Sequence, residues 1–241
     1  MSYELFISLR HLKAKRSQKF ISLNTWISVG GVALGVMALI VVIAVMSGFG
    51  KDLRDKILGT NSHVVVTNIT RTGMEDYEAI IEKVIKAEGV NAAAPFILNQ
   101  VMLTYGGNAA GVVVRGVDPV REAGVSDLEK NLVQGSLEML GGPAKSTGKP
   151  RRAGIILGKE LARRLGVQRD DVVSMVAPAS RVTPMGLIPK IKLFKVVGFF
   201  ESGMFEYDSN LAFISIYSAQ KFFSMKGKVS GIEIRVEDIE Q

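Results

Sequence analysis

The polarity pattern of this chain changes character at residue 50. From Phe20 to Gly50 run thirty-one consecutive residues without Asp, Glu, Lys, Arg or His, and the centre, Val36 to Met46, reads VMALIVVIAVM. As a helix, Trp26 to Phe49 extends about 36 Å at roughly 1.5 Å per residue, enough to cross a hydrocarbon core about 30 Å thick with some tilt. Buried helices of soluble domains rarely run this long without a charge. Residues 20–50 are therefore read as a transmembrane helix. Before it, Leu5, Phe6, Leu9 and Leu12 share one helical face and Arg10, Lys13, Lys15 and Arg16 lie elsewhere. That pattern predicts a surface helix over 1–19, lying along the membrane. After it, Phe49, Leu53 and Ile57 keep the four-residue spacing, which predicts a helical stalk over 51–60 with Gly59 as its C-cap.

From Asn61 the period changes to mixed α and β. Strands are predicted over 63–69, 90–104 and 109–117, the last two joined at Gly106-Gly107-Asn108 as a hairpin. Further strands are predicted over 154–157, 171–176, 190–200, where Ile191, Leu193 and Val197 alternate, 211–214 and 229–236. Helices are predicted over 75–88 with Gly89 as the stop, around 127–132, over 158–165 with Leu161, Ala162 and Leu165 inward, and over 218–225. The loop from Gly141 to Arg152 is rich in Gly, Pro, Lys and Ser. Strand–helix–strand recurs near both ends of this region with a more β-rich segment between, as if one module were inserted into another.

Charge settles the direction of the span. Arg10, Lys13, Lys15, Arg16 and Lys19 precede it against Glu4 alone, and Lys51, Asp52, Arg54, Asp55 and Lys56 after it nearly cancel. The positive-inside rule keeps the N-terminus in the cytoplasm and sends the rest outward. A cleaved signal peptide would have an apolar region of about 7–15 residues; this one is far longer. The formal charge of +7 divides into +4 over residues 1–50 and +3 over the remainder. Most of the basicity is thus a topology signal and a contact for anionic membrane lipids, and nucleic-acid binding has little left to support it. The chain has no cysteine and two histidines, so disulfides, thiol catalysis and a multi-histidine metal centre are all excluded.

No enzyme emerges. Gly142 to Lys149 places five residues between its glycines and Gly154 to Glu160 places three, whereas a phosphate loop needs four so that backbone amides wrap the phosphates. Asp170-Asp171 and Glu237-Asp238 are adjacent pairs that point apart, not an acid–base couple. No serine sits in a G-x-S-x-G turn. No cofactor is implied.

Two features point to partners. Gly31 and Gly35 form a G-x-x-x-G inside the span; small residues one turn apart admit a second helix backbone, although glycine is also common in spans that pack against nothing. Residues 177–194 read APASRVTPMGLIPKIKLF. Pro178, Pro184 and Pro189 each fix φ and remove an N–H donor, so the run is expected to be neither helix nor central strand but a stiff loop. It carries Val182, Met185, Leu187 and Ile188. Apolar groups on a preshaped loop suit partner binding, since little ordering entropy is lost on docking and Met adapts to an uneven surface. A proline-rich crossover packed on its own domain fits the residues equally.

The segment SLRHLKAKRSQKFISLNTWISVGGVALGVMALIVVIAVMSGFGKDLRDKILG, the run TPMG-x-IP and the stretch FKVVGFFESGMFEYDSN occur here in order. Together they resemble the LolC/LolE family, the membrane subunits of the lipoprotein-releasing ABC transporter of Gram-negative bacteria. The resemblance implies a fold related to macrolide-exporter permeases: membrane plus α+β, with one N-terminal transmembrane helix followed by a periplasmic domain over 61–241. That domain would have porter-like parts at about 61–117 and 195–241 and an inserted β-rich part at about 118–194. The family has three further membrane helices that this sequence, ending at Gln241, does not reach, so it is expected to be an N-terminal portion.

By the same resemblance, the proline-bounded run is a hook that captures a periplasmic lipoprotein carrier. Carried over by position, it comprises Pro178, Val182, Thr183, Pro184, Met185, Gly186 and Pro189. The implied partners are a cytoplasmic ABC ATPase subunit, which would hydrolyse the ATP, a second permease subunit in a homo- or heterodimer, the carrier, the lipoprotein substrate and membrane lipids. Three alternatives stand beside this: a LolE-like subunit that contacts the lipoprotein directly, a single-span scaffold or sensor with a protein-binding outer domain, and a sibling permease that signals to a periplasmic enzyme.

Overall fold

A computed structural model describes residues 3–13, 19–60, 62–68, 73–141, 152–183 and 186–237, with backbone alone at 5, 9, 11–13, 19–22, 55–60, 178–183 and 186–188. The chain divides into two compact units, Met1–Arg54 and Asp55–Gln241. In the first, helix α1 (Tyr3–Lys13) is followed by helix α2 (Lys19–Thr60), which runs unbroken for 42 residues. Its stretch Leu23–Arg54, whose most apolar eighteen-residue window has mean hydropathy 2.8, is long and apolar enough to cross a membrane. Leu39, Ile43 and Met46 are exposed on it, as expected of side chains whose solvent is lipid rather than water.

The second unit is organised by strand pairing. In chain order it contains β1 (Val64–Thr67), α3 (Tyr77–Val84), β2 (Val90–Tyr105), β3 (Asn108–Val117), α4 (Pro119–Val125), β4 (Leu132–Gln134), a 3-10 turn at Leu137–Leu140, β5 (Gly154–Gly158), α5 (Lys159–Leu165), β6 (Val172–Thr183), β7 (Gly186–Phe200), α6 (Phe205–Asn210), β8 (Leu211–Ser215), α7 (Ile216–Phe223) and β9 (Gly231–Val236). The β2–β3 hairpin turns at Gly106 and Gly107, with φ of 55° and 92°, the left-handed pair a two-residue hairpin requires. Six strands then close a ring of pairings in the order β2, β3, β8, β5, β7, β6 and back to β2. The closing contact is short, Met102 to Thr104 against Val176 to Ser174. β9 and β1 continue from the other half of β2, and β4 caps the end of β7. Strands from 61–117, 118–194 and 195–241 are thus joined in one network, and β7 itself runs across residue 195.

Alternation sorts side chains between two cores. Ile155 and Leu157 of β5 join Leu103, Val112, Val173, Met175, Phe194, Val196 and Ile214 in the larger one, into which α3, α5 and α7 send Ile81, Leu161, Leu165 and Phe222. Ile156, on the other face, joins Val117, Leu140, Phe200 and Phe213. β5 is buried on both faces, which is why its sequence is a continuous apolar run. The β5–β7 register shifts between Ile155 and Ile156. The extra residue in β7 moves Phe200 to the opposite face from Phe194 and Val196, the expected result of a one-residue bulge.

Three expectations need correcting. The helix expected around 127–132 lies instead at Pro119–Val125, where Asp118 caps it by accepting from the Val120 N–H at 3.0 Å and proline occupies the first turn. That pairing of an aspartate cap with an N-terminal proline starts helices. In β7, Ile191 and Leu193 face outward and Phe194 and Val196 inward, because ring closure buries the even-numbered set. Of the run 177–194, residues 177–183 and 186–194 belong to two paired strands rather than an irregular loop. The stretches Gly142 to Lys149 and Glu237-Asp238 fall wholly or partly outside the described residues.

Candidate partner-binding surfaces

Of the residues expected to form the hook, Pro184 and Met185 lie outside the described residues. The others lie on a β-hairpin. β6 and β7 pair in register from Val172↔Lys195 to Ala177↔Lys190, and again from Arg181↔Ile188 through Val182↔Leu187 to Thr183↔Gly186. Between the two ladders, Pro178, Ala179 and Ser180 stand against Pro189 alone. Both prolines therefore sit where the ladder is interrupted. Neither has an N–H to donate, so the interruption is where a two-stranded ribbon tolerates them. Past Ala177 the two strands pair only with each other, so the outer ribbon is no central strand. The structure thus brings Pro178 and Pro189 to the same gap in the ladder and sets Val182 opposite Leu187.

The ribbon's base is amphipathic. β7 reads Lys190-Ile191-Lys192-Leu193, and alternation puts the lysines on one face and the apolar residues on the other. Ile191 is 62% exposed, and it lies in one cross-strand row with Val176 of β6 and the exposed Met102 of β2. Beside this row a largely apolar cleft of about 600 Å³ is lined by Met102, Gly111, Val113, Val176 and Pro189. On the opposite face, Lys190 Nζ donates to the Lys221 carbonyl and the Ser224 hydroxyl, both at 3.1 Å, and lies 5.7 Å from the Phe222 ring. Lys192 Nζ lies 4.9 Å from the Phe194 ring. Burial first, then the charges of Lys221 and Lys190, pull the Lys192 ammonium below the usual lysine range. The lysine pattern was visible in the sequence; the arrival of Lys221 from α7 was not.

A second concavity of about 1200 Å³ opens over β1, β9, β2 and β3, with α6 as one wall. Its floor holds Arg115, 6% exposed, ion-paired with Glu233 and 3.5 Å from Glu122. The guanidinium carbon is 6.0 Å from the rings of both Phe96 and Phe213. Glu122 also accepts from Ser126 Oγ at 2.7 Å. A buried cation held by two carboxylates is a structural fastening between β3, α4 and β9 rather than a catalytic group, its one positive charge shared between two negative ones. Among the described residues no cluster of His, Asp or Glu could hold a metal ion.

Gly31 and Gly35 lie one turn apart on α2, and a Cβ at either would meet nothing within 4 Å. That surface is open within its unit.

The chain matches the family model of the MacB-like periplasmic core domain over residues 25–241. It is similar to the "Lipoprotein-releasing system transmembrane protein LolC" of Neisseria meningitidis serogroup B, at 35% identity over 98% of this chain and 55% of that protein. To the protein of the same name from Xylella fastidiosa strain Temecula1 it is 37% identical over 97% of this chain and 54% of that one. To "Lipoprotein-releasing system transmembrane protein LolE" of Haemophilus influenzae it is 24% identical over 99% and 56%. The chain spans about half the length of these relatives.

Proposed function

The chain belongs to the family of the MacB-like periplasmic core domain, in its LolC/LolE group, and on that premise we propose that it is the N-terminal portion of a permease subunit of a lipoprotein-releasing ABC transporter. The permease sits in the bacterial inner membrane with its N-terminus in the cytoplasm and residues after about 50 in the periplasm. The basic residues before the span support that orientation. ATP hydrolysis belongs to a separate cytoplasmic subunit, and a second permease subunit completes the membrane part. Residues 118–194 carry the recognition ribbon between porter-like flanks at about 61–117 and 195–241, and Gly31 and Gly35 are the helix-packing positions of the span.

The reading is carried by similarity along nearly the whole chain to proteins named for lipoprotein release. The β6–β7 ribbon supports the finer assignment. The ladder pairs its two arms out to Thr183↔Gly186. A tip of this kind loses little entropy when it enters a partner. We assign Pro178, Val182, Thr183, Pro184, Met185, Gly186 and Pro189 to the capture of a periplasmic lipoprotein carrier. Holding the carrier there raises its effective concentration where the lipoprotein leaves the membrane.

The test is carrier binding by the whole chain in lipid nanodiscs, alongside Val182→Asp, Pro184→Gly and Met185→Asp. Saturable binding that the three changes abolish, with the circular dichroism spectrum intact, is the expected result. Binding that survives all three would move the contact off the ribbon. Lipoprotein binding without carrier binding would assign the LolE-like role, for which the matched LolE relative is the supporting observation.

A further inference from the structure

β1 is the outermost strand of the sheet, and among the described residues it pairs with β9 alone. Its second edge therefore carries backbone N–H and C=O groups that face no other described strand. Natural edges are commonly blunted by lysine, by proline or by a bulge. β1 reads VVVT, pairs in unbroken register from Val64↔Ile234 to Thr67↔Gly231, and has none of these; shortness is its one protection. Val64 and Val65 are 45% and 49% exposed. An uncharged, β-branched edge left open is a template for one more strand.

The same strand borders the 1200 Å³ cleft, which Val65 and Thr67 help to line. Strand pairing sets Val65 directly beside Glu233 of β9. The two side chains thus share one face and one row, with Glu233 one strand in from the open edge. The charges around Glu233 do not balance. Arg115 is ion-paired with both Glu233 and Glu122, all three are buried, and Glu122 Oε2 has no hydrogen-bond partner among the described residues. One cation answers two carboxylates, and Glu206 adds a third on the wall. Arg235, two residues along β9, and Lys228, beside the lining residue Gly73, are taken by Asp127 and Glu75. Excess negative charge behind low-dielectric walls focuses its field into a cleft. Those walls include Phe96, Leu98, Leu211 and Met225. α6 closes the far side through Glu206, Tyr207 and Asn210, while its Phe205, 66% exposed, stands outside the lining. Apolar walls above an acidic floor match a side chain with a long apolar stem and a cationic head.

We propose that an extended segment of a partner protein adds to the open edge of β1 and places a basic residue opposite Val65, its stem crossing Val65 to bring the cationic head to Glu233. Backbone pairing supplies the affinity and the acidic floor selects the sequence. Arginine suits the position better than lysine, because its guanidinium is planar, weakly hydrated and bidentate toward carboxylates. A second copy of this chain does not meet the description through its own β1 edge, since residues 61–68, NSHVVVTN, hold no lysine or arginine. The site is separate from the ribbon assigned to carrier capture, so the inference goes beyond that reading.

The probe is a fluorescein-labelled peptide, acetyl-Thr-Val-Thr-Arg-Thr-Val-Thr-amide, titrated with the whole chain in lipid nanodiscs and followed by fluorescence anisotropy. Saturable binding is expected, several-fold tighter than that of the same peptide with glutamate in place of arginine. Two further versions carry N-methyl groups on alternate amides, one set in each. A strand that pairs on one side only should lose binding in one version and keep it in the other. On the protein, Glu233→Gln should weaken the arginine peptide several-fold. Val65→Lys, a change on an exposed side chain, should abolish its binding with the circular dichroism spectrum intact. Absence of saturation, equal binding of the arginine and glutamate peptides, or equal behaviour of the two N-methylated peptides overturns the proposal. So does binding that survives Val65→Lys. Peptide binding lost in Val182→Asp, Pro184→Gly and Met185→Asp would put the site on the ribbon and overturn it too. Carrier capture is scored with those three changes, so either reading can fail without the other.

Discussion

The β6–β7 ribbon and the α6 shelf both present apolar surface, but they are held in opposite ways. The ribbon leaves the ring after Ala177, and beyond that point the strand pairings of the described residues are those between its own arms. Its stiffness has to come from the chain itself, through prolines that restrict φ before any partner arrives. The α6 shelf is six residues long, too short to be stable alone, and is ordered by tertiary contacts: its Asp208 carboxylate with Ser202, Arg164 on the Ser209 carbonyl, and Gly158 beneath it. The first is stiffened by its own covalent geometry, the second by the side chains and backbone packed around it.

Breaking the shelf side is expected to have the larger effects on stability. Arg115→Met, at the floor of the cleft, leaves Glu122 and Glu233 buried without their cation and is expected to cost about 3–5 kcal/mol, read as a shift of the urea midpoint. Replacing all three by apolar residues of similar volume should recover most of it. Gly158→Val drives a side chain into the Asp208 carbonyl and is expected to cost about 1–3 kcal/mol by overpacking, with the amide protection of α6 lost first. Asp208→Ala strips the acceptor from the Ser202 N–H and hydroxyl, a loss of about 1–3 kcal/mol if those donors stay unsatisfied.

The ribbon side should respond gently. Pro178→Ala and Pro189→Ala are each expected to cost about 0.4–1 kcal/mol through the unfolded chain's entropy. They should also speed amide exchange at 181–183 and 186–188 while leaving the ring strands unchanged. Equal acceleration in β5 would mean that the ribbon and ring unfold as one piece, and the contrast drawn here would fail. Lys192→Met should change stability at neutral pH by no more than about 0.5 kcal/mol, and it sharpens the contrast through pH. Lys192 is depressed chiefly by burial, then by Lys221 and Lys190. The folded state thus sheds that proton before the unfolded state does. Its cost is fully present below the lowered folded value and vanishes as pH rises toward the unfolded value of about 10.4. The natural chain should therefore gain stability across that alkaline window relative to Lys192→Met, measured by denaturant titration at stepped pH.

Much of this protein could be read from residue order, because the relevant physics is local. A charge-free run longer than a bilayer needs no tertiary partner to be recognised, and α2 contains it. Gly106-Gly107 sets a hairpin by backbone sterics alone, and the period of Leu161, Ala162 and Leu165 names the buried face of α5. The prolines at 178 and 189 stand in the sequence as breaks in any regular strand, and each falls at the interruption of the β6–β7 ladder. What they could not reveal is that Pro178 and Pro189 would come to the same gap in a ladder, since that depends on the register of two strands. Nor does the exposure of Phe205 show in the sequence, where an aromatic residue in a short apolar stretch reads as core.

Polarity period determines which side chains share a face, but not which strand lies beyond it. β2 meets β6 across 102–104 and 174–176, and Arg115 meets Glu233 from 118 positions away. Both contacts exist only once the ring has closed. Ring closure also decided that Phe194 and Val196, rather than Ile191 and Leu193, would be buried, because both sets alternate equally well and only the position of the core distinguishes inside from outside. The sequence by itself determined the membrane span, the turn between β2 and β3, and the position of a proline-marked segment. Tertiary structure alone decided the partners of the strands, the clamp under α6 and the cleft beside it, since each is assembled from segments far apart in the chain and has no local signature.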